Sequence, residues 1–160
     1  MLSSPITPEN ASTVAELIRI VDAIDRAVDA KDWAASRSHF ADELTVDFQS
    51  LSGQPAARIA ADGLVGAWAT NLTAAKTSLH MRSNHQVFLA EGQASVVSAG
   101  YAFNRMEGAS DPLWEVWGTY EHSLAKTEAG WKVDGMKLTV AHQRGNMWVR
   151  DTVPAPDANF

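Results

Sequence analysis

Apolar positions recur at helical spacing near the start of the chain: Val14, Leu17, Ile18, Val21, Ile24 and Val28. On a 3.6-residue period they share one face, while Glu16, Arg19 and Arg26 point away from it. This predicts a long amphipathic helix, with Pro8 at a first helical position and Asn10 or Ser12 as alternative caps. Asp25 falls about 60° from the centre of the apolar face and Asp29 about 100°, so both acids stand at the rim of the buried stripe. Lys31 and Asp32 form a tight corner, with Asp32 capping a short helix from Trp33 to about Phe40. Leu44, Val46 and Phe48 then alternate with Thr45, Asp47 and Gln49, as in a half-buried strand. Residues 50–56, with Gly53 and Pro55, read as a loop, and residues 59–72 as a third helix carrying Leu64, Val65 and Trp68.

After Lys76 the period changes from helical to alternating. Residues 78–89, 94–106, 113–126 and 131–140 read as strands, separated at hairpin-like spacing by Glu91-Gly92, by residues 107–112 and by Glu128-Ala129-Gly130. Long strands joined in sequence should be antiparallel and strongly curved. The expected fold is α+β: a cone-shaped curved antiparallel sheet wrapped around N-terminal helices, with a pocket for a small hydrophobic ligand at its open end. Residues 1–143 form this single domain. Residues 144–160 form a C-terminal tail holding Met147, Trp148, Val149 and Phe160, too apolar for a solvated tail. Pro154 and Pro156 suggest that it runs extended across the open end as a lid, with Trp148 against the ligand.

Composition narrows the function classes. The chain has 160 residues, of which 46% are hydrophobic and 20% charged, a globular composition. A formal net charge of −6 argues against a nucleic-acid or anionic-membrane surface. There is no cysteine, so no disulfide or thiolate site, in keeping with a cytoplasmic setting. No apolar run is long enough to span a bilayer, and no signal peptide is expected at the N-terminus. The chain carries no HExxH pattern, no Gly-x-Ser-x-Gly elbow and no Gly-rich phosphate loop, so neither metal nor nucleotide cofactor is expected. Trp114, Val116, Gly118, Tyr120 and His122 share one strand face, which should line the pocket. Trp68 and Phe103 are further candidate walls. Tyr120 and Tyr101 are candidate donors to a developing enolate oxygen. Core packing accounts for Trp68 and Phe103 equally well, and plain strand packing accounts for each tyrosine taken alone better than a donor role does.

The run Val28-Asp29-Ala30-Lys31-Asp32-Trp33, followed by Val46-Asp47-Phe48-Gln49-Ser50, resembles the Tyr-Asp-Ser-Lys-Asp-Trp and Ile-Asp-Tyr-Arg-Ser segments of scytalone dehydratase. Thr77-Ser78-Leu79-His80 is similar to that family's strand-entry histidine, and residues 130–137 resemble its last strand. Across residues 14–140 the chain thus resembles the SnoaL-like branch of the nuclear transport factor 2-like superfamily. The resemblance implies a cofactor-independent lyase or isomerase, dehydratase-like, acting on a small cyclic carbonyl compound. In it His80 is base and proton shuttle, and Asp29 orients and charges it. The resemblance also implies a homo-oligomer, dimer or trimer, formed through the outer face of the sheet.

The chain departs from that pattern where two pocket tyrosines fall on Val28 and Phe48, the latter becoming a wall. A later-strand asparagine falls near Tyr120, and the second histidine's place lies in Phe103-Asn104-Arg105. Scytalone itself is therefore not the expected substrate. A non-catalytic binding or assembly module and a polyketide cyclase are the alternatives. The Asp-Arg-Asp arrangement of an epoxide hydrolase is not evident, and Asp25 is the rival acid to Asp29. Strict alternation groups His80 with Arg82, Asn84 and Gln86, opposite Leu79, Met81 and Val87. His80 then faces inward only if that polar face lines a pocket or a bulge intervenes.

Overall fold

The computed structural model describes residues 4–108 and 110–154. Helix α1 (Ala11–Asp29) is followed by α2 (Trp33–Ser38), strand β1 (Phe40–Asp47), the single turn α3 (Gln49–Ser52), strand β2 (Ala57–Ala60) and α4 (Ala61–Asn71). Four long strands complete the sheet: β3 (Lys76–Ala90), β4 (Gln93–Met106), β5 (Leu113–Thr127) and β6 (Gly130–Gly145). The short helix α5 (Met147–Asp151) follows. The strand order is β2-β1-β6-β5-β4-β3, antiparallel except for the parallel pair β1 and β6. This is the expected α+β architecture of N-terminal helices and a curved sheet.

Helix α1 buries Val14, Leu17, Val21, Ile24 and Val28 as its period requires, with Ile20 fully inside and Ile18 only partly so. Their partners in the main core are inward residues of the sheet, among them Leu44, Val96, Leu124 and Val133, together with Leu64 and Val65 of α4. The sheet bends where its register shifts, between Trp117 and Gly118 and between Ser123 and Leu124 of β5, and between Ser83 and Gln86 of β3. Gly118 is needed at its shift, because a Cβ there would lie 2.5 Å from the Thr139 carbonyl oxygen of β6.

The corner after α1 is a Schellman motif. Asp32 N–H donates to Ala27 O at 2.9 Å and Lys31 N–H to Val28 O at 3.0 Å. The left-handed position belongs to Lys31, with φ 60°, where glycine is the usual residue. The Asp32 carboxylate accepts from Ala35 N–H at 3.0 Å and caps α2, as the sequence predicts.

Three departures from the sequence reading concern short elements. The loop expected over residues 50–56 contains α3, and residues 57–60 pair with β1 as an edge strand, so the third helix begins at Ala61. The last strand continues to Gly145 rather than ending near Val140. The tail forms the turn of helix α5 ahead of Pro154 instead of running extended, with Asn146 capping it through Trp148 N–H at 3.0 Å. Pro156 and Phe160 lie outside the described residues. Among the described residues no helix is long and apolar enough to cross a membrane.

Candidate active site

A cavity of about 230 Å³ lies between the helices and the inner face of the sheet. Phe48, Leu51, Trp68, Trp114, Val116 and Leu138 form its apolar wall. Its polar lining comes from Asp25, His80, Arg82, Asn104 and Tyr120, with Asn71 and Arg150 near the rim.

Strand β3 brings His80 and Arg82 there because even-numbered residues face inward along its first half. Lys76 and Ser78 are buried on the same side, whereas Leu79 and Met81 are 40% and 54% exposed on the other. The register shift between Ser83 and Gln86, with Asn84 at φ 53°, reverses the alternation, so that His85 and Val87 point inward beyond it. The polar face at the mouth is thus an inner face, and His80 lies on it.

The Asp29 carboxylate binds His80 twice. Asp29 Oδ1 lies 2.7 Å from His80 Nδ1, and Oδ2 accepts the His80 backbone N–H at 2.7 Å. Oδ1 also accepts from Ser78 Oγ at 2.9 Å, and that hydroxyl accepts from Lys31 Nζ at 2.8 Å. The left-handed Lys31 therefore earns its strained backbone by reaching the strand that carries the histidine. Burial pushes the Asp29 carboxyl up, but the hydrogen bonds and charge of His80 outweigh it and hold the group below the usual carboxylate range. A carboxylate on Nδ1 fixes the tautomer with Nδ1 protonated, and Nε2 is left as the basic nitrogen. Asp29 itself is not part of the cavity wall and stands behind the imidazole.

The rival acid, Asp25, is engaged elsewhere. Arg82 Nη2 donates to Asp25 Oδ1 at 2.9 Å, and Arg82 Nε stands 2.9 Å from Oδ2 without the alignment of a hydrogen bond. Burial raises the Asp25 carboxyl and the Arg82 charge offsets part of that rise. The guanidinium lies over Tyr120, its Cζ 3.4 Å from the ring centroid. Gly100 on β4 leaves the space for this stack. A Cβ there would come within 2.7 Å of the Tyr120 ring and 2.8 Å of Arg82 Nη1.

Phe48, Trp68, Trp114, Val116 and Tyr120 all line the cavity. Tyr101 and Phe103 do not. In β4 the even-numbered Ala102 and Asn104 are the buried residues, which turns Tyr101 and Phe103 to the outer face. There Tyr101 packs on Trp117 with centroids 5.1 Å apart and donates to Glu115 Oε1 at 2.8 Å. Trp148 is half exposed, because the turn of α5 points Val149 inward against Ala102, Trp114 and Val116 and sets Arg150 on the cavity rim instead. Lys76 ties this segment down, its buried Nζ donating to Thr152 O at 2.7 Å and to Asn71 Oδ1 at 2.9 Å. Arg82 and Arg150 were not among the sequence candidates, although Arg82 shares His80's face two residues on; Asn104, in the stretch matched to the family's second histidine, also lines the cavity. Among the described residues no three His, Asp or Glu side chains converge as metal ligands.

The arrangement defines a class: a cone-shaped α+β barrel whose helix end delivers a carboxylate to a histidine in the wall of an internal pocket. The chain belongs to the SnoaL-like domain family, whose model matches residues 9–137. Among solved structures it is similar to the Kfla4162 protein of Kribbella flavida, at 25% identity and a TM-score of 0.79 over 84% of this chain and 95% of that one. It is similar to a putative scytalone dehydratase of Novosphingobium aromaticivorans, at 18% identity and a TM-score of 0.75 over 88% and 92%. It is also similar to a hexachlorocyclohexane dehydrochlorinase of Novosphingobium barchaimii, at 10% identity and a TM-score of 0.68 over 92% and 97%. No match was found among curated proteins.

Proposed function

We propose that this protein is a cofactor-independent lyase or isomerase, dehydratase-like, for a small hydrophobic cyclic carbonyl compound. The observation that carries this reading is the 2.7 Å contact between Asp29 Oδ1 and His80 Nδ1 beside the pocket. His80 Nε2 takes the proton from the carbon next to the carbonyl, and the C–H electron pair passes into the carbonyl to give an enolate. The enolate collapses to a carbon–carbon double bond as the β-hydroxyl leaves. That hydroxyl departs as water after receiving the proton from the imidazolium, which returns His80 to its starting state. Asp29 holds the tautomer and stabilises the imidazolium throughout. The putative scytalone dehydratase and the hexachlorocyclohexane dehydrochlorinase, whose names both describe eliminations, share this fold and support the assignment.

Conversion of cyclic β-hydroxy ketones, followed by the enone absorbance, tests it. His80→Ala and Asp29→Asn are each expected to lower turnover by ~10²–10⁴. Unchanged turnover by His80→Ala on a substrate that the parent protein converts overturns the assignment.

A second reading, a ligand-binding module without turnover, is favoured by Val28 and Phe48 in the pocket wall, which offer no hydroxyl to a substrate oxygen. In either case the proposed role of the tail, residues 144–160, is a lid over the pocket, with a contact to a neighbouring subunit as its rival, and the outer sheet face is the proposed surface between two or three copies. Deleting residues 144–160 separates these roles: weaker ligand binding with the oligomer intact marks a lid, and dissociation marks a subunit contact.

A further inference from the structure

Asn104 is a buried side chain with unmet hydrogen bonds. It is 8% exposed and lines the cavity. Among the described residues its side chain makes no hydrogen bond, yet its amide atoms, unlike Arg82 Nη1, are not enclosed by protein. They therefore open into the cavity. Its neighbours on the inner face of the sheet are apolar: Ala102 and Met106 along β4, and Trp114 opposite on β5. An amide in such surroundings is costly unless something supplies its partner.

The register sets this amide beside the histidine. His80 pairs with Ala102, and Asn104 stands two residues further along the same face of β4, opposite Ser78. His80 and Asn104 are thus diagonal neighbours across the β3–β4 pair, close enough for one small ligand to meet both. Ala102, which lines the cavity between them, is too small to divide it.

We propose that the Asn104 amide binds the carbonyl oxygen of the substrate, beside the carbon that His80 deprotonates. This rests on the dehydratase-like reading of the same pocket and narrows it to substrates whose acidic C–H adjoins an oxygen acceptor, which a halogenated hydrocarbon lacks. When His80 Nε2 takes the proton, the electron pair of the broken C–H bond moves into the carbonyl. Asn104 Nδ2–H donates to the enolate oxygen that results, and the donor is in place before the charge develops.

Asn104→Leu keeps the branched shape and removes both polar atoms. With a cyclic β-hydroxy ketone it is expected to lower kcat by ~10²–10³. Urea denaturation is expected to find it at least as stable as the parent protein, since an unmet amide has been removed. Contact with the ligand is read from the carbonyl stretch of bound cyclohexanone, isotopically labelled at its carbonyl, by infrared difference spectroscopy. In the parent protein the stretch is expected below its position in an apolar solvent, as for a hydrogen-bonded ketone, and in Asn104→Leu it is expected to return towards that position. His80→Ala, Tyr120→Phe and Arg150→Met are expected to leave it where the parent has it. Unchanged kcat in Asn104→Leu overturns the proposal, as does a stretch that ignores this variant or follows Tyr120→Phe or Arg150→Met instead. A parent protein that does not bind the ketone, or holds its carbonyl free of hydrogen bonds, also overturns it. If Asn104→Leu fails to fold, Asn104→Ala removes the same donor and gives the same readouts. Turnover that survives His80→Ala while the stretch still follows Asn104 refutes the histidine base and not the oxygen site, so the two failures are distinguishable.

Discussion

The two halves of β3 use opposite rules. From Lys76 to Arg82 the strand turns polar side chains inward and leaves Leu79 and Met81 outside. Beyond the register shift at Ser83–Gln86 it buries Val87 in the main core. One half lines the cavity chamber and the other a hydrophobic core, and a single irregularity separates them. An inward polar face is stable only if each group finds a partner: helix α1 supplies Asp29 for His80 and Asp25 for Arg82, while Asn71 and Thr152 O meet Lys76. The apolar half needs no such matching. The chamber is therefore the part of the molecule most sensitive to loss of one partner, and the core the part sensitive to lost volume.

The largest effect expected from this contrast concerns His122, which sits at the boundary. It is buried, stacks on Tyr120 with centroids 6.2 Å apart, and its Nδ1 has no partner among the described residues. Burial lowers its pKa from 6.5 to about 3, with the charges of Arg82 and His85 adding to the shift. Between those values the unfolded chain binds the proton and the folded one does not, so stability falls as pH falls. The total loss by pH 3 is up to about 5 kcal/mol. Urea denaturation between pH 7 and pH 4 is expected to show this slope, and His122→Phe to flatten it.

Next in size is Arg82→Met alone, which strands the Asp25 carboxylate and should cost about 3–5 kcal/mol in urea denaturation, most of it recovered by adding Asp25→Asn. In the apolar half, Val87→Ala should cost only about 2 kcal/mol through lost burial and the cavity left behind. The smallest change belongs to Met81→Ser on the outer face, within about 0.5 kcal/mol in a monomer. A larger loss that depends on protein concentration would show that a second copy covers this face.

These same halves explain what the sequence could reveal. The 3.6-residue period of Val14 to Val28 and the Asp32 cap depend on near neighbours, and both are present. The alternation of β5 placed Trp114, Val116 and Tyr120 on one face, and no shift intervenes between them in the β4–β5 pairing. The inner face of β3 was ambiguous because polarity and burial disagree there, and only the pairing of Asp25 with Arg82 across 57 positions resolves it. Tyr101 was a candidate donor to the ligand and Phe103 a candidate pocket wall, and neither faces the cavity. The inner positions of β4 instead take the small Gly100 and Ala102 to leave room for side chains from β3 and β5. The short elements α3 and β2, of 4 residues each, are too brief to show a period.

The central claim is that Asp29 fixes His80 with the proton on Nδ1 and the free lone pair on Nε2. Long-range proton–nitrogen NMR of the imidazole, recorded at a pH where His80 is neutral, measures this without a substrate. The account predicts an Nδ1-protonated ring in the parent protein and loss of that single tautomer in Asp29→Asn. A ring protonated on Nε2, or a tautomer indifferent to Asp29→Asn, would contradict it.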